Sequence, residues 1–275
     1  MKSAEIKKIV RKGYGEIAKK GSSCCCGPKT SCCGTGSQAE DISKRIGYTD
    51  EEMNSVPDGA NLGLGCGNPV AMASLKEGET VIDLGSGAGF DCFIAANKVG
   101  KTGKVIGVDM TPEMLKKAKA NAKKGGYKNV EFRLGEIEKL PVADNFADIV
   151  ISNCVINLSP EKDKVFKETF RVLKPEGRLM VSDIVLLEEL PEYILISVSA
   201  YVGCISGAVK KEEYMETIKR AGFKDVKIIS EAHFPVESMV NDPTAQAIIK
   251  KIGMSADKIM EMANSVVSIK VSARK

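Results

Sequence analysis

The chain has 275 residues, 43% of them hydrophobic and 28% charged, with a formal net charge of +4. That length and apolar content suit one large domain with extensions, and a mild, interleaved charge argues against a nucleic-acid partner. No apolar run approaches the ~18 residues of a membrane span and the start lacks a signal-type apolar core, so no membrane partner is expected and the expected location is cytoplasmic.

Lys2, Lys7, Lys8, Arg11, Lys12, Lys19 and Lys20 are opposed only by Glu5 and Glu16. With Ile6, Ile9, Val10 and Ile17 they predict a short amphipathic helix with a basic face, read as a solvated docking helix. The stretch GSSCCCGPKTSCCGTGS, residues 21–37, then places five of the nine cysteines on a linker-like segment. In a reducing compartment, clustered thiols suggest metal binding or redox chemistry over structural disulfides. Adjacent cysteines lack the two-residue spacing of a standard zinc site, so exchangeable thiols for redox relay or soft-metalloid capture fit better.

From residue 80 onward strands and helices alternate. TVIDL, KVIGVDM, NVEFRL, ADIVISN and RLMVSDIVLL (178–187) read as strands. Helices are expected at CFIAANKVG, at TPEMLKKAKANAKKGG (Thr111 as N-cap, Pro112 first, a stop at Gly125-Gly126) and at KDKVFKETFRVL. The stretch KPEG is expected as a turn before the fifth strand. Helix KEEYMETIKRAGF, strand DVKIIS and strand VVSIKVSAR (266–274) follow. This alternation predicts an α/β fold of Rossmann type, a doubly wound, mostly parallel sheet with an antiparallel last strand. Ligands should bind at the carboxyl ends of its strands. Three regions are expected: an N-terminal helix and Cys-rich extension (1–65), a core (66–230) and a C-terminal segment with an insertion and the final strand (231–275).

Gly85-Ser-Gly87-Ala-Gly89 lies between the first strand and its helix, where glycine permits close backbone approach to a ligand. Asp109 ends the second strand, 24 residues after Gly85, where a carboxylate can accept ribose hydroxyls. Cys92 reads as packing. Cys66 in LGLGCGNP, Cys154 after Asn153 and Cys204 in YVGCISGAV fall on the ligand-facing edge of the sheet. The one histidine, His233, lies away from every motif.

VIDLGSGAGFD, VIGVDMT, EFRLGEIEKLP and RVLKPEGRLMVSD together resemble class I S-adenosylmethionine-dependent methyltransferases over residues 66–275. That resemblance implies S-adenosylmethionine as cofactor, with Gly85 and Gly87 near its methionine part and Asp109 at the ribose. Met110 and Ile137 would flank the adenine and Glu136 would meet its amino group, with Asp83 and Asn153 completing the set. LGLGCGNP, ISNCVINL and YVGCISGA are further similar to arsenite S-adenosylmethionine methyltransferases. This implies Cys154 and Cys204 as thiolates for arsenic(III), and Cys66 with an N-terminal cysteine as redox partners. Cys32 and Cys33 are preferred among the five because they lie nearest the fold. Arsenite or its thiol conjugates would be the substrate, and thioredoxin or a small thiol the reductant. A quinone- or sterol-like organic acceptor, or a thiol-based metalloid-binding module without turnover, are the competing readings.

Overall fold

The computed structural model describes residues 3–20, 38–189, 207–233 and 265–275. Cys24, Cys25, Cys26, Cys32, Cys33 and Cys204, and the segment 237–263, lie outside them. Helices α1 (Ser3–Lys20), α2 (Gln38–Arg45), α3 (Asp50–Asn54) and α4 (Pro69–Met72) precede strand β1 (Thr80–Leu84). There follow α5 (Phe90–Val99), β2 (Lys104–Asp109), α6 (Pro112–Gly125), β3 (Val130–Leu134), β4 (Ala147–Asn153), α7 (Lys162–Val172) and β5 (Leu173–Leu186). Helix α8 (Lys211–Arg220), β6 (Lys224–His233) and β7 (Val266–Arg274) complete the elements. Among the described residues no helix is long and apolar enough to cross a membrane.

The sheet runs β3-β2-β1-β4-β5-β7-β6. Its first five strands pair in parallel, and β7 lies antiparallel to both β5 and β6. The central strands are apolar on both faces, as a sheet covered on both sides requires. Alternate residues serve opposite layers: Ile82, Ile106 and Val150 pack with Phe166 and Tyr214 on one side, Val81, Val105 and Ile149 with Phe93 and Ile94 on the other. The order reverses between β1 and β4, whose carboxyl ends therefore border a crevice.

Two local expectations change. The residues KPEG do not form a separate turn, because β5 already begins at Leu173. The register jumps from Ala147↔Leu173 to Ile149↔Arg178, so these residues bulge within the strand, with Glu176 at φ 63° absorbing the extra length. Thr111 is the N-cap of α6, but its side chain makes no capping bond; the Asp109 carboxylate takes the Thr111 N–H instead, at 2.8 Å.

Helix α1 lies against α6 and over the crevice, with Val10 buried and Ile6 and Tyr14 half-buried beside it on the same face. That face spaces apolar residues four apart, so the helix buries its stripe on the core.

Candidate active site

Beneath α1 a cleft of ≈ 1090 Å³, open to solvent, is bordered by the glycine loop, the end of β2, the loop 60–65 and the residues after β4. Gly85 and Gly87 both hold positive φ, 66° and 52°, the conformation glycine reaches without strain. A Cβ on Gly85 would lie 2.7 Å from Val155 Cβ, whereas one on Gly87 would meet nothing within 4 Å. Gly85 is therefore glycine for packing as well as for φ, and the space over Gly87 stays open for a ligand.

Three buried carboxylates surround this loop. Asp109 ends β2; its Oδ2 accepts from Gly87 N–H at 2.9 Å and its Oδ1 from Thr111 N–H. Burial raises its pKa, and these two backbone donors pull it part of the way back. Asp83, next to last in β1, lies on a strand with no exposed side and accepts from Cys92 Sγ at 3.1 Å. Burial and then the nearby Asp91 charge push Asp83 well up, and burial with Asp83 does the same to the Cys92 thiol. Cys92 is thus a packed thiol inside α5.

Asp91, in the first turn of α5, accepts from Tyr48 Oη at 2.6 Å and from Asn153 Nδ2 at 3.0 Å. Burial raises its pKa to about 6 against the pull of those two donors. Asn153 Nδ2 also approaches Gly67 O at 2.8 Å, and its Oδ1 accepts from Cys66 N–H at 3.0 Å. Asn153 thereby clamps the 65–67 loop to the end of β4, and its amide is turned to protein partners.

Met110 and Ile137 line the cleft from the ends of β2 and the turn after β3. Glu136 is half exposed and pairs with Lys7 of α1 at 2.8 Å; Lys7 also reaches Glu138 at 3.1 Å and Glu161 at 3.6 Å. Burial pulls the Lys7 pKa down, and the hydrogen bonds it donates to Glu136 and Glu138 more than offset it, so the net shift is upward. Lys7 therefore ties α1 across the cleft, while Lys8, Arg11, Lys12 and Lys19 of the same helix remain exposed.

At the end of the cleft, Cys66 and Cys154 are joined as a disulfide with their Cα atoms 5.8 Å apart. Both are nearly fully buried, each 5% exposed. Cys154 sits at φ 56° with its N–H on Ser182 O at 2.9 Å, and Cys66 O accepts from Ser268 Oγ at 2.8 Å. Cys66 thus meets Cys154, and the N-terminal cysteines expected as its partners lie outside the described residues. His233 is exposed at the end of β6.

Sequence reasoning missed Lys7, Tyr48 and Asp91. A signal existed for Asp91, an acidic residue two after Gly89, although an acid in a first helical turn ordinarily reads as support for the helix dipole. Tyr48 had none, since its partners are 43 and 105 residues away.

A family model described as a methyltransferase domain matches residues 75–222, more than half of the chain. An arsenite methyltransferase of Halobacterium salinarum is 50% identical over 230 residues, covering 82% of this chain and 59% of that protein. The human arsenite methyltransferase is 34% identical over 240 residues, 84% of this chain and 61% of that protein. The chain thus spans about three fifths of these relatives' length. Among solved structures, an arsenic (III) S-adenosylmethionine methyltransferase from Chlamydomonas reinhardtii superposes with a TM-score of 0.61 at 29% identity, covering 85% of this chain and 72% of that one.

Proposed function

Since this chain belongs to the methyltransferase-domain family, we propose that it transfers methyl groups from S-adenosylmethionine to trivalent arsenic held by cysteine thiolates. The observation that carries the reading is the pair of cysteine sulfurs, Cys66 and Cys154, at the end of the glycine-loop cleft, where a methyl acceptor has to sit.

The cleft suits the donor. S-adenosylmethionine supplies an electrophilic methyl on a sulfonium, alongside an ammonium group, and the loop is ringed by the carboxylates Asp83, Asp91 and Asp109. Burial raises the pKa of all three, and a bound cation would favour their ionised forms in turn. A carboxylate offers about four lone-pair sites, so Asp109 retains one on each oxygen for a ribose hydroxyl beyond its two backbone bonds. Met110 and Ile137 would flank the adenine, and Glu136, here paired with Lys7, would meet its amino group.

Arsenic bound by thiolates keeps a lone pair and attacks the methyl carbon without losing a proton, so no general base is required of this chain. The carbon–sulfur bond breaks with its electrons remaining on the donor sulfur, and arsenic becomes formally pentavalent. Two thiols closing to a disulfide return two electrons and release two protons, restoring trivalency. Cys66 and Cys154 lie where they can close in this way. While closed, neither sulfur can take arsenic, so two equivalents of a small thiol, leaving as their disulfide, or one of the dithiol thioredoxin, leaving with its own disulfide closed, must open the bond first. Cys204 is the proposed second arsenic thiolate beside Cys154, and Cys32 and Cys33 the thiols that exchange with Cys66. With the reacting groups fixed by the loop and by thiolates, proximity supplies most of the rate.

Labelled methyl transfer to arsenite, run with and without a thiol, tests this. Methylated arsenic should form only with the thiol present. A folded, reduced chain that binds S-adenosylmethionine yet leaves arsenite unmethylated would overturn the reading.

A further inference from the structure

Cys66, Cys154 and Asp183 bring two sulfurs and a carboxylate oxygen within 4.8 Å of one another, all three side chains buried. Asp183 belongs to β5, beside Ser182, which pairs with Asn153 in the register of β4. We infer that, once the disulfide is opened, these three side chains form a site for a thiophilic divalent cation, Zn²⁺ or Cd²⁺, which the disulfide closes off.

The donor set has the chemistry for it. Two thiolates and a carboxylate carry three negative charges against two positive, and Zn²⁺ accepts sulfur and carboxylate oxygen together. Zinc–sulfur bonds of about 2.3 Å at tetrahedral angles place two sulfurs roughly 3.8 Å apart. Cα atoms 5.8 Å apart accommodate that once the sulfurs part. Arsenic in the reading above is held by sulfur alone, whereas the carboxylate in this cluster favours a harder, divalent ion.

The supporting contacts resemble the outer shell of a metal ligand. Asp183 Oδ2 accepts from Tyr214 Oη at 3.0 Å, and Oδ1 accepts from Asn157 Nδ2 at 2.9 Å and Ile184 N–H at 3.0 Å. All three donors are neutral, and Oδ2, with one bond accepted, keeps a lone pair for a cation while Oδ1 is held by its two donors. The cysteines are equally fixed, Cys66 N–H by Asn153 and Cys154 N–H by Ser182 O. Cys154 borders the cleft, which provides an entry path and room for water as fourth ligand. Binding displaces two thiol protons. Because Cys154 is also a proposed arsenic ligand, an ion here would exclude the acceptor; that consequence rests on the proposed function, while the site itself does not.

The test uses Cd²⁺ alone and the full chain with serine at Cys24, Cys25, Cys26, Cys32, Cys33 and Cys204. Cadmium binding is followed by the ultraviolet charge-transfer band of cadmium thiolate and by proton release. The reduced chain should bind one Cd²⁺ and release about two protons, and the chain with its disulfide closed should bind at least tenfold more weakly. In the reduced state Asp183→Asn should weaken binding by about 10–100-fold. Tyr214→Phe, which removes one bond to the carboxylate, should weaken it less. If Asp183→Asn does not fold, the oxidised–reduced contrast and Tyr214→Phe still decide. Equal binding by the oxidised and reduced chains, or undiminished affinity in a folded Asp183→Asn or Tyr214→Phe chain, would overturn the site.

Discussion

Replacing Asp109 with alanine isolates the proposed ribose contact. The carboxylate is 9% exposed and already accepts the N–H groups of Gly87 and Thr111, at 2.9 and 2.8 Å. Hydrogen bonds to a charged group contribute about 1.5–3 kcal/mol each, so a ribose diol on both oxygens would double that if the bonds were additive. They share one acceptor group, and truncation frees two backbone donors to meet water or the hydroxyls, so the effects do not add. The expected net loss is about 1.5–3 kcal/mol, roughly 10–150-fold in the Kd for S-adenosylmethionine. Asp109→Asn retains one acceptor but turns its NH2 towards an N–H, stranding a buried donor at a cost to the fold of about 1–3 kcal/mol. Titration calorimetry with S-adenosylmethionine, alongside thermal unfolding, measures both quantities. Arsenite capture, followed by mass spectrometry, should survive in either variant because the cysteine pair hangs from other elements. A folded Asp109→Ala chain with cofactor affinity unchanged within about twofold would refute the ribose assignment.

Gly85→Ala forces a Cβ against Val155 at φ 66° and should cost about 1–3 kcal/mol from overpacking, plus about 1–2 kcal/mol of left-handed strain. Adding Val155→Ala should recover the packing part only, which double-mutant unfolding would show. Asp91, raised to about 6, favours the folded state while protonated, so its contribution is present below its unfolded value near 3.9 and is lost as pH rises from there through 6. Wild-type stability relative to Asp91→Asn should therefore fall by up to about 3 kcal/mol across that window and then level off; a flat difference in unfolding free energy would contradict the burial argument. Alkylation of the unreduced chain should spare Cys66 and Cys154, and Cys66→Ser should expose the Cys154 thiol to the reagent. Cys154→Ser should abolish both arsenite binding and methyl transfer, and full activity in that variant would remove it from the acceptor site.

The parts of this molecule that local chemistry specifies were readable from the chain alone. Strand runs such as TVIDL and VVSIKVSAR appear at or within a residue of their expected bounds, the first because a central strand is apolar on both faces, the second because Val267, Ile269, Val271 and Ala273 alternate onto one core face. Thr111-Pro112 and Gly125-Gly126 bracket α6 because capping and positive φ are properties of single residues. Gly85, Gly87 and Asp109 follow from the same logic, since a strand–turn–helix unit always leaves its ligand-facing atoms at one end. Where remote segments meet was decided by the tertiary structure. The basic residues of α1 said nothing of Glu136 and Glu138 after β3 or of Glu161 before α7, which converge on Lys7 only after the sheet has formed. The bulge at KPEG depends on the register β5 takes against β4, which its own composition does not encode. Nine cysteines allow many pairings, and Cys66 and Cys154 are 88 residues apart. They meet because Asn153 draws the 65–67 loop onto the end of β4, setting both sulfurs beside Asp183 where spacing along the chain carries no trace of them.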